Sequence, residues 1–341
     1  MKLGYGLITC QRHPADSRTS TELYSEAIQL AKAAEDAGLD SVWTSEHHFW
    51  DDEYMPSLLI LSAAIAAATE RIQIGTGILL APLYHPIRLA EDAATVDLIS
   101  KGRLILGLGI GWRAEEFDRL GIPMEGLGRR LSETVRLLRK AWGPGVFTFK
   151  GKVFEFEATN VTPKPEGKIP IWLGGFVDNA LRRAGRIADG YLASAPELYD
   201  MPRRLDLVRE GLAIPGRDEK EFTVAVHKPV WISNDMESEL ERALELQHNI
   251  RWKYNDMRTT FGRDTQGPLP APPPLNEDTR TLMRQMMILG SPDEVAKSIQ
   301  SFRDVVGDNL HFVARLYTPG VPLDEALRHI ALLGEVKKLL A

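Results

Sequence analysis

A single cysteine, Cys10, in 341 residues excludes an internal disulfide and a cysteine-rich zinc site, and it is the usage of a reducing compartment. Long apolar runs are also missing. The longest, Leu58–Ala68, is interrupted by Ser62 and falls well short of the ~20 residues that span a bilayer. The opening MKLGYGLI reads directly as a strand, without the basic start and apolar stretch of a signal peptide. Neither sign of charge dominates: 41 Lys and Arg against 47 Asp and Glu leave −6, which offers nucleic acid or an anionic membrane no attraction. The expectation is a cytoplasmic protein with no nucleic-acid or membrane partner. Its 44% hydrophobic and 26% charged residues supply an ordinary core and a solvated surface.

What is present is a repeat. In Arg71–Trp112, two mostly apolar runs, Ile72–Leu80 and Leu104–Ile110, flank an amphipathic stretch, Pro86–Ser100. Strand, helix, strand with both strands apolar predicts a parallel βαβ unit buried on both faces. The same rhythm runs along the chain, with strands at Lys2–Ile8, Ser41–Ser45, Ile169–Leu173, Tyr191–Ala195, Phe222–Ile232 and Leu310–Tyr317. Helical patterns follow each of them, one starting at Ser20 and stopping at Gly38, another opening on Ser291-Pro292-Asp293-Glu294. Eight such units predict a (β/α)8 TIM barrel, one domain over 1–341, with a doubly wound open sheet as the alternative. Two insertions interrupt it. A hairpin is expected after strand four, within about 143–168, where the period switches to two. An irregular excursion is expected after strand seven, within about 253–290, with four prolines among Pro270–Pro274. Part of it, Tyr254–Leu289, is a candidate lid.

In such a barrel the chemistry sits at the C-terminal ends of the strands. Those ends carry Thr9 and Cys10, Glu46-His47-His48, Gly77–Pro82, Gly109-Ile110-Gly111-Trp112, Gly174-Gly175-Phe176, Ser194, and His227 or Trp231. They lack the carboxylate cluster of a sugar-processing barrel and the strand-end lysine of an aldolase. Adjacent His47 and His48 lack the H-x-H or i, i+4 spacing of a metal pair, so no metal site is expected. They either cap the strand or supply an imidazole acting near neutral pH, with Glu46 as a candidate orienting partner. Gly107-x-Gly109-x-Gly111 lies in the fourth strand, and no acidic residue follows at the distance a dinucleotide fold needs. Its glycines either let a flat ligand lie on bare backbone or serve close packing. Gly174-Gly175 precedes a helix near Asp178 and suits a phosphate, with Arg129 and Arg130 as candidate counter-charges or a solvated pair. Trp43, Trp50, Trp112 and Trp231 are candidates for an aromatic wall, or else packing.

Several motifs in order resemble the bacterial luciferase-like monooxygenase superfamily, whose members depend on flavin or F420. They are Ser45-Glu46-His47-His48-Phe49, Ala81-Pro82-Leu83-Tyr84-His85-Pro86-Ile87-Arg88, Leu98-Ile99-Ser100-Lys101-Gly102-Arg103 and Gly111-Trp112-Arg113 through Leu120-Gly121-Ile122-Pro123. The resemblance covers about Lys2 to Ala195 by motif and the rest by strand order. It implies a barrel whose mouth binds reduced FMN or coenzyme F420. The expected activity is oxygenation of a small organic substrate with O2, or hydride transfer with F420 as the alternative. It implies His47 as the acid/base residue and Glu46 beside the ring. It also implies a non-prolyl cis peptide at Gly77-Ile78 behind the ring, and Arg129 at the phosphate. Gly109, Ile110, Gly174, Gly175 and Phe176 complete the expected cofactor contacts. At Ile110 bacterial luciferase has an arginine, so that charge is missing here, while Gly174-Gly175 is similar to the phosphate turn of F420-dependent relatives. With no nicotinamide fingerprint, the flavin's electrons are expected from a separate NAD(P)H-dependent flavin reductase. Kinship further implies a homodimer.

Overall fold

In a computed structural model, which describes residues 1–263 and 268–341, eight parallel strands close into a barrel. The barrel strands are β1 (Lys2–Ile8), β2 (Ser41–Thr44), β3 (Gln73–Thr76), β4 (Leu104–Gly109), β5 (Ile171–Gly174), β6 (Gly190–Ser194), β7 (Thr223–Ile232) and β8 (Leu310–Arg315). β8 returns to β1 with Lys2 opposite His311 and Gly6 opposite Arg315, and β6 pairs with β7 to complete the ring. Around it run α1 (Ser20–Asp36), α2 (Leu58–Ala68), α3 (Pro86–Ser100), α4 (Ala114–Arg119), α5 (Leu127–Ala141), α6 (Asp178–Ile187) and α7 (Met201–Leu212). They are followed by α8 (Met236–Thr259), α9 (Glu277–Met286), α10 (Pro292–Val306) and α11 (Leu323–Leu339). The strands are continuous apolar runs because one face meets this helical layer and the other fills the bore.

The bore is solid. Leu7, Trp43, Ile105, Trp172, Leu192, Ala225 and Val313 form one buried cluster inside it. Trp43 and Trp172 stack with ring centres 5.3 Å apart, and the Trp43 indole N–H donates to Ser41 Oγ at 2.8 Å. A Cβ on Gly6 or Gly75 would run into Trp43, so the glycines of β1 and β3 are what admit so large a side chain. Trp43 is therefore core rather than aromatic wall. Trp231 is core too, in a satellite cluster with residues of α8 and Met283 of α9.

The hairpin after β4 is present as Phe147–Lys150 paired with Glu155–Thr159. The second insertion differs from expectation. Tyr254–Thr259 is not irregular but forms the last turns of α8, whose buried face continues from Ile250 through Lys253 to Met257 at helical spacing. Beyond the proline-rich stretch, α9 is capped by Asn276, whose side chain accepts from the Thr279 N–H, and Ile288–Gly290 adds a short strand beside β7. Residues 264–267 of the expected excursion lie outside the described residues. Among the described residues, no helix is long and apolar enough to cross a membrane.

Candidate active site

Side chains alternate along a strand, so the positions two residues beyond the bore cluster face the mouth. From Trp172, Leu192, Ala225 and Val313 this gives Gly174, Ser194, His227 and Arg315. On the opposite side, the Gly77–Ile78 peptide is cis, and the Ile78 side chain lies on top of the bore cluster. A Cβ on Gly109 would strike Ile78 Cδ1, and one on Gly107 would strike the Thr76 carbonyl. The glycines of β4 thus serve close packing, Gly109 against Ile78 and Gly107 against the Thr76 carbonyl. Ile110 is partly exposed beyond them.

The segment after β2 carries the titratable groups. Glu46 is buried, with Oε1 accepting from the Leu80 N–H and Oε2 from the Tyr84 hydroxyl, both at 2.6 Å. Burial pushes its carboxyl up to about 8, those two donors oppose the rise, and the nearby Glu116 carboxylate adds to it. Glu46 does not orient His47. That partner is Glu116, at the start of the segment after β4, whose Oε1 takes the His47 Nδ1 at 2.7 Å and the His48 N–H at 2.9 Å. With Nδ1 committed, Nε2 is the free ring nitrogen of His47.

Four aromatic rings enclose His47. Trp50 stacks on it at 4.5 Å, and Tyr54, Tyr254 and Trp112 present edges at 4.9, 5.5 and 5.6 Å. Tyr254 comes from the end of α8, which is tied down firmly. The buried Arg113 guanidinium donates to the carbonyls of His48 (2.7 Å), Met257 (3.0 Å) and Thr260 (3.2 Å), and pairs with Glu115. Asp51 pairs with Lys253 and with Arg263 (2.8 Å). These bonds cap α8 and leave His47 only 5% exposed.

The residues expected at a phosphate lie on the β5–α6 turn and on α5. The Gly174-Gly175 turn leads into α6, with Phe176 71% exposed and the Gly175 carbonyl accepting from Tyr191 at 3.0 Å. Arg129 is exposed near the start of α5, whereas Arg130 is used elsewhere, donating to the Pro82 carbonyl and lying on the Phe154 ring. The sequence reading did not single out Arg183 of α6, whose guanidinium sits against Gly128 at the head of α5. It also passed over Glu116 as a partner, because the carboxylate stands 69 residues from His47 in the chain.

Nine buried side-chain polar atoms among the described residues have no hydrogen-bond partner. Five of them belong to Thr9, His48, Trp50 and Glu116, in the segments that follow strand C-terminal ends, and to His227, within β7 but level with Ser194 at the end of β6. Buried polar atoms are normally satisfied, so orphans gathered at one mouth point to a ligand with polar edges. An isoleucine platform and unsatisfied donors and acceptors fit a flat heteroaromatic ring.

A family model described as luciferase-like monooxygenase matches residues 1–309. The oxygenase component of a flavin-dependent trigonelline monooxygenase from Acinetobacter baylyi is 32% identical over 173 residues, half of this chain and 48% of that protein. An F420-dependent glucose-6-phosphate dehydrogenase from Kineococcus radiotolerans is 29% identical over 92% of this chain and 91% of its own. Among solved structures, monooxygenase RslO1 from Streptomyces bottropensis superposes over the whole of both chains with a TM-score of 0.86 at 23% identity. The FMN complex of the oxygenating constituent of 3,6-diketocamphane monooxygenase from Pseudomonas putida gives 0.75 at 22%, over 100% of this chain and 99% of that one.

Proposed function

The chain belongs to the luciferase-like monooxygenase family, and on that premise we propose that it is a flavin-dependent monooxygenase that uses reduced FMN and O2 to oxygenate a small organic substrate. The observation that carries this proposal is the enclosure of His47, held by Glu116 and walled by four aromatic rings. Bound FMN in its reduced form supplies the electrons for O2 activation, chemistry that water must not reach. The rest falls to the chain's own residues. Ile78, seated over Gly109 and Gly174, offers the ring its platform. Gly77 sets the cis turn beneath it. Glu46, held toward its neutral form by burial, is bonded to the Leu80 N–H and the Tyr84 hydroxyl and presents no full charge to the ring. His47 exchanges a proton through Nε2 while Glu116 fixes its orientation. The Gly174-Gly175-Phe176 turn, Arg183 and Arg129 hold the phosphate, and Ile110 adds an apolar contact. Electrons arrive from a separate NAD(P)H-dependent flavin reductase, and the enzyme works in the cytoplasm as a homodimer.

A second reading, F420-dependent hydride transfer on the same barrel, is favoured by one finding. Two relatives that match nine-tenths of the chain are F420-dependent glucose-6-phosphate dehydrogenases. Anaerobic titration with each cofactor separates the two. Micromolar binding of reduced FMN is expected, and micromolar binding of F420 with no affinity for FMN would overturn the first reading.

A further inference from the structure

The mouth has a second side that the proposed proton chemistry does not use. Arg315 ends β8, half-buried, and forms no ion pair among the described residues. Glu46 is engaged by Leu80 and Tyr84, and Glu116 holds His47 and His48 through Oε1 while its Oε2 has no hydrogen-bond partner. The guanidinium lies 5.6 Å from the centre of the Tyr254 ring, the same ring that edges onto His47 at 5.5 Å. Beside it on β7, His227 is buried and its Nδ1 has no partner. Burial, reinforced by the Arg315 charge, drives the His227 imidazole down to about 3 and keeps it neutral. Ser194, opposite His227 in the register of β6 and β7, is exposed at the same level. Lys228, by contrast, is turned to the Pro196 carbonyl and Glu197.

We propose that Arg315, His227 and Ser194 form a subsite for the carboxylate of an organic acid, which makes the substrate a small monoanion. A half-buried cation with no counter-charge is costly unless a ligand supplies one. The guanidinium fork matches the two oxygens of a carboxylate, and the neutral imidazole and the hydroxyl each add one donor. A single positive charge balances one negative charge, which favours a carboxylate over a phosphate dianion. Tyr254, shared by Arg315 and His47, then sets the anchored acid group beside the reactive side of the mouth. This names the substrate class of the oxidoreductase proposed above and rests on that proposal for the word substrate alone.

The test uses the cofactor-free protein, so that it stands whichever cofactor is correct. Benzoate and its neutral isostere benzamide are titrated by calorimetry into the wild type, Arg315→Met and Arg315→Lys. Benzoate is expected to bind about ten- to a hundredfold tighter than benzamide, the span that a charge-assisted pair of hydrogen bonds supplies. Arg315→Met should erase that preference and Arg315→Lys restore part of it, with affinity for whichever cofactor the wild type binds, reduced FMN or F420, within about twofold throughout. Equal binding of the two probes overturns the proposal, as does benzoate preference surviving in Arg315→Met. So does an equal loss of cofactor and benzoate affinity, which assigns the cation to the cofactor. Failure of both cofactors to bind would remove the oxidoreductase reading and leave the benzoate result standing.

Discussion

Glu46→Gln should make the protein more stable in alkali. In the folded chain the Glu46 carboxyl titrates at about 8 because burial disfavours its charge, against an ordinary value of 4.5. The gap of about 3.5 pH units, at about 1.4 kcal/mol each, amounts to about 5 kcal/mol. Below pH ~4.5 the side chain is protonated in both folded and unfolded protein, and it costs nothing. Between ~4.5 and ~8 the unfolded chain ionises while the folded one does not, so stability falls as pH rises. Above ~8 the loss is complete. Glutamine keeps the shape, accepts from the Leu80 N–H through its oxygen and donates to the Tyr84 oxygen through its amide. Urea unfolding of both proteins from pH 5 to 9 cancels all other titrating groups in the difference. The variant's advantage should grow from about 1 kcal/mol at pH 5 to about 3–5 kcal/mol at pH 9. A flat difference, or a less stable variant at pH 9, would mean that the Leu80 and Tyr84 donors outweigh burial and that Glu46 is ionised at neutrality.

Glu116→Gln keeps a hydrogen bond to His47 but removes the charge, so turnover should fall by about a hundredfold or more with cofactor affinity within a few-fold. Steady-state kinetics with unchanged kcat would refute the pairing's role. Tyr254→Ala removes the ring that α8 lays on His47, Trp50 and Tyr54, costing about 1–3 kcal/mol and speeding carbethoxylation of His47 by diethylpyrocarbonate. An unaltered modification rate would show that α8 does not shield the imidazole. Gly109→Ala drives a methyl group into Ile78 and should destabilise by about 1–3 kcal/mol. Ile78→Ala in the same chain should recover part of that loss, and simple additivity would refute the contact.

Barrel, strand count and hairpin were legible because each unit is a continuous apolar run followed by an amphipathic one, a local signal. The end of α8 was also legible but overridden. Ile250, Tyr254 and Met257 keep the helical period, and the proline cluster some fifteen residues on drew the boundary back too far. Glu116 and Arg315 were not legible as site residues, since register and closure of the barrel bring them to the mouth. Trp43 shows the same limit from the other side. Whether a strand tryptophan plugs the bore or walls the pocket depends on glycines at positions 6 and 75, in two neighbouring strands.

That plug has a consequence for traffic. With Trp43 and Trp172 filling the bore, the barrel has no back door. A molecule that rests against Ile78 must arrive before anything that lies above it and depart after it. That order binds only ligands stacked one above the other; a ligand held on the Arg315 side of the mouth, across from Ile78, comes and goes independently.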